Sequence, residues 1–349
     1  MKLDHLLVIK LSSIGDTIHA VPAVAAIHER FPGCRITWCV ERPCSQLIAR
    51  LPLLDELILV ETRAWRRLKH LAGERGPLAC LRRLRRQRFD AAIDFQGLLK
   101  SAAITALARA DQRIGWSRPH LREPLAAAFY DTRVAPGPET VHVIDWCAAL
   151  ARPLGIERIE RRFPFQIPAE ADRKVEAALQ PTAGRPIAVI NPGAGWPTKL
   201  WPAERFGELS ARLAAELDLS VVVTTGPGEK DLLARIRQWR GSFISLDLDL
   251  VELAALARRT ACFIGGDTGP TFVASAMGAP VVALYGPSDP RRNGPFQDDD
   301  VVLCRQLPCS GCYRRKCPES EHQCMDFSVG EVFEAVRLRL ERARTKHGH

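Results

Sequence analysis

Four short stretches of this chain combine glycines, hydroxyls and charges as anion binding and proton transfer require. The first, Lys10-Leu-Ser-Ser-Ile-Gly-Asp16, follows an apolar run and opens a helical pattern. A helix that starts after a strand offers free backbone N–H groups, and Ser13 and Gly15 lie where a ligand could reach them. Asp16 has two readings: a helix cap, or a carboxylate that takes a proton from a reacting group. The second stretch, Asn191-Pro-Gly-Ala-Gly-Trp-Pro-Thr-Lys199-Leu-Trp-Pro202, bares backbone at Gly193, Ala194 and Gly195. Lys199 there is either solvated or a point charge for a phosphate, just before a helix that starts near Pro202. The third, Thr224 to Asp231, offers Glu229 or Asp231 to ribose hydroxyls, or equally to the dipole of the following helix. The fourth, Gly265-Gly-Asp-Thr-Gly-Pro270, sets Asp267, Thr268, Gly269 and Pro270 at a helix start suited to a diphosphate.

These spacings also exclude. The fourth stretch is not the dinucleotide GxGxxG, and GxxxxGK[ST], HExxH and GxSxG are all absent, so dehydrogenase, P-loop, zinc-protease and hydrolase-elbow readings lose their support. What remains is a nucleotide diphosphate held by the second half of the chain and a carboxylate presented by the first.

The elements that must position these loops recur along the chain. Leu6–Leu11, Arg35–Val40, Glu56–Val60 and Ala91–Phe95 read as strands, and after Pro181–Pro186 the pattern restarts. Ile187–Asn191, Ser220–Thr225, Phe243–Leu246, Ala261–Gly265 and Pro280–Tyr285 are the second set. Strands alternating with helices predict an α/β fold with parallel sheets covered on both faces. A length of 349 residues suits two domains, with the polar stretch Ile156–Pro186 as the expected linker. From Ser328 an apolar stripe of Val329, Val332, Phe333, Val336 and Leu338 or Leu340 predicts a final helix. Ligands in such sheets sit at the carboxyl ends of the strands.

Hydrophobic residues at 46% and charged residues at 26% describe an ordinary globular protein. The first strand is too short for a secretory signal, so a cytoplasmic location is expected. The net charge of +9 is concentrated: Arg63 to Arg88 carries ten Lys or Arg against Glu74. Such a segment suits an anionic partner. Nucleic acid is the rival partner, but few aromatics are interleaved and no nucleic-acid-binding signature appears. Six of the eleven cysteines are scattered, as free thiols in a reducing compartment would be. The other five, Cys304, Cys309, Cys312, Cys317 and Cys324, crowd near His322 and include one C-x₂-C pair. Four such ligands could hold a structural zinc. The later spacings do not repeat the pair of a zinc ribbon, and reduced thiols or a disulfide are the other readings.

Taken together, Lys10-x-Ser-Ser-x-Gly-Asp16, Asp94-Phe-Gln-Gly-Leu-Leu-Lys100, Lys199-x-Trp-Pro202, Gly266-Asp-Thr-Gly269 and Tyr285-Gly-Pro287 resemble glycosyltransferase family nine. These are the bacterial lipopolysaccharide heptosyltransferases, and the resemblance runs from about residue 3 to 340. It leans to the inner-core heptosyltransferase I type through Arg63-x-Trp-Arg66, Gln96–Lys100 and Arg122-Glu-Pro-Leu125. The resemblance implies a GT-B fold, two Rossmann-like domains facing each other across a cleft with a C-terminal helix packing back. It assigns 1–165 to an acceptor-binding domain, 180–327 to a nucleotide-sugar domain and 328–349 to the helix. It implies inverting transfer of heptose from an ADP-sugar to a Kdo-lipid A acceptor, with no cofactor and no metal, by an enzyme peripheral on the inner face of the inner membrane. Asp16 takes the base position and Lys199 the donor-phosphate position. Asp267, Thr268 and Gly269 take donor positions and Asp231 a ribose position. Arg63, Arg66, Lys100 and Arg122 take acceptor positions. Phe272 stands in place of a histidine, and Ala194-Gly195 in place of two threonines. The alternative reading is another GT-B enzyme using a different nucleotide sugar.

Overall fold

Runs such as Leu6-Leu-Val-Ile9 and Ile187-Ala-Val-Ile190 become strands because burying both faces removes every one of these side chains from water. The computed structural model describes residues 2–62, 76–226, 228–239, 243–318 and 323–347. The chain divides into two units, Met1–Gln166 and Ile167–His349.

The first unit runs β1 (His5–Ile9), α1 (Ile14–Arg30), β2 (Arg35–Glu41), α2 (Arg42–Ile48), β3 (Glu56–Val60), α3 (Pro77–Arg85), β4 (Phe89–Asp94), α4 (Leu99–Leu107), β5 (Ala110–Trp116), β6 (Thr132–Val134) and α5 (Val143–Ala149). Its six strands form one parallel sheet in the order β3-β2-β1-β4-β5-β6, with Leu6 in register with Ile36 and Ala91. Leu7, Ile9, Cys39, Ile58, Ala92 and Leu84 belong to its core.

The second unit opens with α6 (Ala169–Ala178), inside the stretch read as linker. Ala171 and Val175 are buried, and the helix packs on α9 (Leu250–Ala257). There follow β7 (Ile187–Asn191), α7 (Ala203–Leu217), β8 (Ser220–Thr225), α8 (Lys230–Arg237) and β9 (Phe243–Asp247). After α9 come β10 (Cys262–Gly266), α10 (Gly269–Ala276), β11 (Val281–Tyr285), α11 (Pro290–Asn293), β12 (Val301–Cys304) and α12 (Val329–His347). The sheet is again six parallel strands, ordered β9-β8-β7-β10-β11-β12. Val329, Val332, Phe333 and Val336 of α12 enter the second unit's core, with Leu340 packed against it and Leu338 left outside.

Three strands escape the apolar-run reading: β5, β6 and β12. The first carries three polar residues in a row, Asp111 to Arg113, and the others have three and four residues. Among the described residues no helix is long and apolar enough to cross a membrane.

Candidate active site

In each sheet the strand order reverses between two neighbours, β1 and β4 in one and β7 and β10 in the other. Connections on the two sides of such a point leave over opposite faces and open a crevice at the carboxyl ends of the strands. Three of the four loops singled out by sequence lie at these two points, after β1, β7 and β10; the other, Thr224 to Asp231, follows β8 beside them.

In the first unit, Lys10 to Asp16 links β1 to α1. Ser13 is the N-cap and Asp16 the third helical residue, so Asp16 is not itself the cap. The Ser13 N–H (3.0 Å) and Oγ–H (2.8 Å) both donate to Asp16 Oδ2. Burial pushes the Asp16 carboxyl up, but the Lys10 charge, the Ser13 bonds and nearby His19 outweigh it and leave the group below its ordinary value. The loop after β4 fixes the loop after β1. Gln96 Oε1 accepts the N–H groups of both Leu11 and Ser12 at 3.1 Å, while Lys10 Nζ donates to the Phe95 carbonyl at 3.0 Å. Asp94, wholly buried, holds that second loop by accepting from Gln96 N, Gly97 N and Tyr130 Oη. Burial raises its pKa.

Of the expected acceptor residues, Lys100 bridges Glu41 Oε1 (3.0 Å) and Thr62 Oγ1 (3.2 Å), which are themselves hydrogen-bonded to each other. Glu41 and Thr62 line a pocket of ≈ 550 Å³ together with Ser12, Ser13, Ile14 and Arg42. Arg122 is exposed, and its neighbour Glu123 accepts the Leu99 N–H at 2.6 Å, one residue before Lys100. Arg63 and Arg66 lie outside the described residues.

In the second unit, Lys199 ends a single 3-10 turn, Pro197–Lys199, after β7. Its side chain is 13% exposed, and the ammonium pairs with the buried Asp267 carboxylate and lies 4.4 Å from the centre of the Trp196 ring. Asn293 Nδ2 donates to the other Asp267 oxygen at 2.6 Å. Thr268 caps α10, so Gly269 and Pro270 form the helix start and its first backbone N–H groups have no intrahelical acceptor. The Thr271 hydroxyl donates to Gly266 O at 2.7 Å and fixes the turn. Gly193 lets the Glu229 carboxylate, which accepts the Gly226 N–H at 2.6 Å, lie directly over the loop, where a Cβ would push that side chain aside. Ala194 is half-buried and Gly195 exposed on the same loop. The acid over this loop is thus Glu229, while Asp231 is exposed in the first turn of α8. Phe272 is buried, stacked on Phe296 at 6.1 Å.

Sequence reasoning assigned no role to Gln96, Asn293 or Trp196. Gln96 stood inside a quoted motif next to Gly97, whose φ of +68° marks a turn. Asn293 carried no signal, being 26 residues from Asp267.

The sequence matches glycosyltransferase family 9 (heptosyltransferase) over residues 78–323. It is 30% identical to the lipopolysaccharide heptosyltransferase 1 of Pseudomonas aeruginosa, over 98% of this chain and 96% of that one. It is 28% identical to the protein of that name from Salmonella typhimurium, over 86% and 94% of the two chains. Among solved structures it resembles a glycosyl transferase family 9 protein from Veillonella parvula (TM-score 0.82, 23% identity, 98% and 99% covered). It also resembles E. coli heptosyltransferase WaaC with ADP (TM-score 0.77, 24% identity, 96% and 99% covered). The fold these likenesses establish is GT-B, as the sequence motifs imply.

Proposed function

This chain belongs to glycosyltransferase family 9 (heptosyltransferase), and from that premise we propose that it transfers heptose from ADP-heptose to the Kdo of the lipopolysaccharide inner core. The carrying observation is a likeness to lipopolysaccharide heptosyltransferases over 98% and 86% of this chain.

The residues supply a matching division of labour. The acceptor hydroxyl oxygen attacks the anomeric carbon as the bond from that carbon to the diphosphate oxygen breaks, with inversion. The hydroxyl proton passes to Asp16, and the leaving electron pair stays on the ADP oxygen. Among the described residues the hydrogen bonds to Asp16 fall on Oδ2, which leaves Oδ1 to take the proton. Lys199 and the N-terminal N–H groups of α10 stabilise the departing diphosphate. Gly193 to Gly195 leave backbone open to the nucleotide, and Glu229 and Asp231 are the two candidates for its ribose. Lys100 and Arg122 bind the acidic acceptor, together with Arg63 and Arg66.

The exposed arginines Arg82, Arg85 and Arg86 on and just after α3 hold the enzyme at the anionic inner face of the inner membrane. A screen of ADP-, UDP- and GDP-sugars with a Kdo-lipid A acceptor tests the reading. Product from ADP-heptose alone supports it; turnover of a UDP-sugar without acceptor would replace it with the epimerase-type alternative.

A further inference from the structure

Six of the eleven cysteines are buried and behave as small apolar core groups, whereas the five from Cys304 onward are not buried. Four of those five, Cys309, Cys312, Cys317 and Cys324, line one small pocket of ≈ 80 Å³ with Gly286, Pro287 and Thr198. Cys304 lies on β12, in register with Tyr285, and does not line it. The spacing is C-x₂-C-x₄-C-x₆-C. Within the first pair Ser310 Oγ accepts the Leu307 N–H and donates to Arg305 O, both at 2.8 Å, and Gly311 turns with φ +74°. That turn carries Cys309 and Cys312 to the same pocket. None of the thiols is bonded to another, and among the described residues no three potential ligands already converge on one centre.

We infer that Cys309, Cys312, Cys317 and Cys324 form a four-thiolate site for a structural zinc ion, which draws them together on the pocket they share. Soft thiolate ligands select zinc over the hard cations, and a closed four-sulfur site leaves no position for chemistry. Binding releases thiol protons and requires no electron transfer.

The site would secure a segment that touches the donor loop. Arg314 O accepts the Thr198 hydroxyl at 2.8 Å, Tyr313 N–H donates to Pro287 O at 2.8 Å, and the Arg315 guanidinium lies 5.1 Å from the centre of the Trp196 ring that Lys199 also faces.

Elemental analysis of the untagged full-length chain, made in zinc-supplemented medium and purified without chelator, reads the site directly. About one zinc per chain is expected, kept in Cys304→Ser and lost in Cys309→Ser and Cys317→Ser. A chelator should lower the melting temperature of the wild-type chain, and zinc should restore it. Because the serine variants risk failing to fold, cobalt(II) titration of chelator-treated wild type provides a second measurement, with a thiolate-to-cobalt charge-transfer band expected. No zinc and no cobalt band would overturn the inference. So would iron in place of zinc, zinc retained in both serine variants, or a disulfide among these four cysteines.

Discussion

Asp16→Asn separates the two roles open to this residue, because their magnitudes differ. The carboxamide keeps the size of the side chain and an oxygen to accept from Ser13 N and Oγ, now at 3.0 and 2.8 Å. What it removes is the charge facing Lys10. Loss of a helix-start interaction costs about 0.5–2 kcal/mol, and with the acceptor retained the lower end applies, a fall in Tm of about 1–2 °C. Loss of a general base costs about 10²- to 10⁴-fold in kcat, or about 2.7–5.4 kcal/mol of barrier. The assay is ADP release with saturating donor and a Kdo-lipid A acceptor, alongside a thermal melt and a donor titration. A small melt shift, unchanged donor affinity and a kcat drop of at least about 10²-fold are expected. Wild-type-like turnover in the folded variant would refute the base assignment and leave Asp16 as part of the helix start. The wild-type pH profile follows from the depressed carboxyl. A depressed acid contributes stability above its unfolded value of about 3.9 and loses that contribution as pH falls through the folded value, so the acid limb set by Asp16 should lie below the ordinary carboxylate value.

Lys199→Met should abolish donor turnover and, by leaving the buried Asp267 carboxylate with Asn293 alone, cost about 3–5 kcal/mol of stability. Adding Asp267→Asn should recover most of the melting temperature but none of the turnover. Gln96→Glu keeps an acceptor for Leu11 and Ser12 while adding charge near Asp16, so the acid limb of kcat should move up by about one pH unit with donor KM unchanged; an unmoved limb would show that Gln96 does not act through Asp16. Arg82→Glu with Arg86→Glu should raise the KM for lipid acceptor and flatten its salt dependence, measured on anionic vesicles, without moving donor KM. Arg83 is the poorer target because it already pairs with Glu56 at 3.3 Å.

Legibility in the sequence followed burial and locality. β1, β2, β4, β7 and β10 could be read because a strand buried on both faces carries a near-continuous apolar run, such as Leu6–Ile9, Trp38–Val40, Ala91–Ile93, Ile187–Ile190 and Cys262–Ile264. β5 could not, since Asp111, Gln112 and Arg113 make its first half polar and its place depends on pairing with β4 and β6. The helix α6 was hidden because Ala169-Glu-Ala-Asp-Arg-Lys is polar on all but one narrow face. At the site, the residues of each loop were legible and the contacts between loops were not. Ser13 with Asp16 is a three-residue spacing, whereas Gln96 with Leu11 and Lys199 with Asp267 span 85 and 68 residues. The preference for Glu229 over Asp231 beside Gly193 likewise depends on where α8 starts, which two neighbouring acids leave undecided.

Those two long-range contacts occupy near-equivalent places. In each unit the loop after the sheet's fourth strand holds the loop after its first, through Gln96 in one and Asp267 in the other. The difference between them sets the charge each unit can present. Gln96 is neutral, so it orders the Leu11–Ser12 backbone without placing a second negative charge near Asp16, and the field of Lys10 then keeps Asp16 ionised. Asp267 is negative, so it can hold a lysine in a nearly buried position that would otherwise disfavour the ammonium. A diphosphate carries more charge than one carboxylate and meets the α10 N–H groups as well, so it can compete for Lys199 where a neutral ligand could not. The polar side chain after the fourth strand thus differs between the units, neutral where the loop after the first strand carries Asp16 and negative where it carries Lys199.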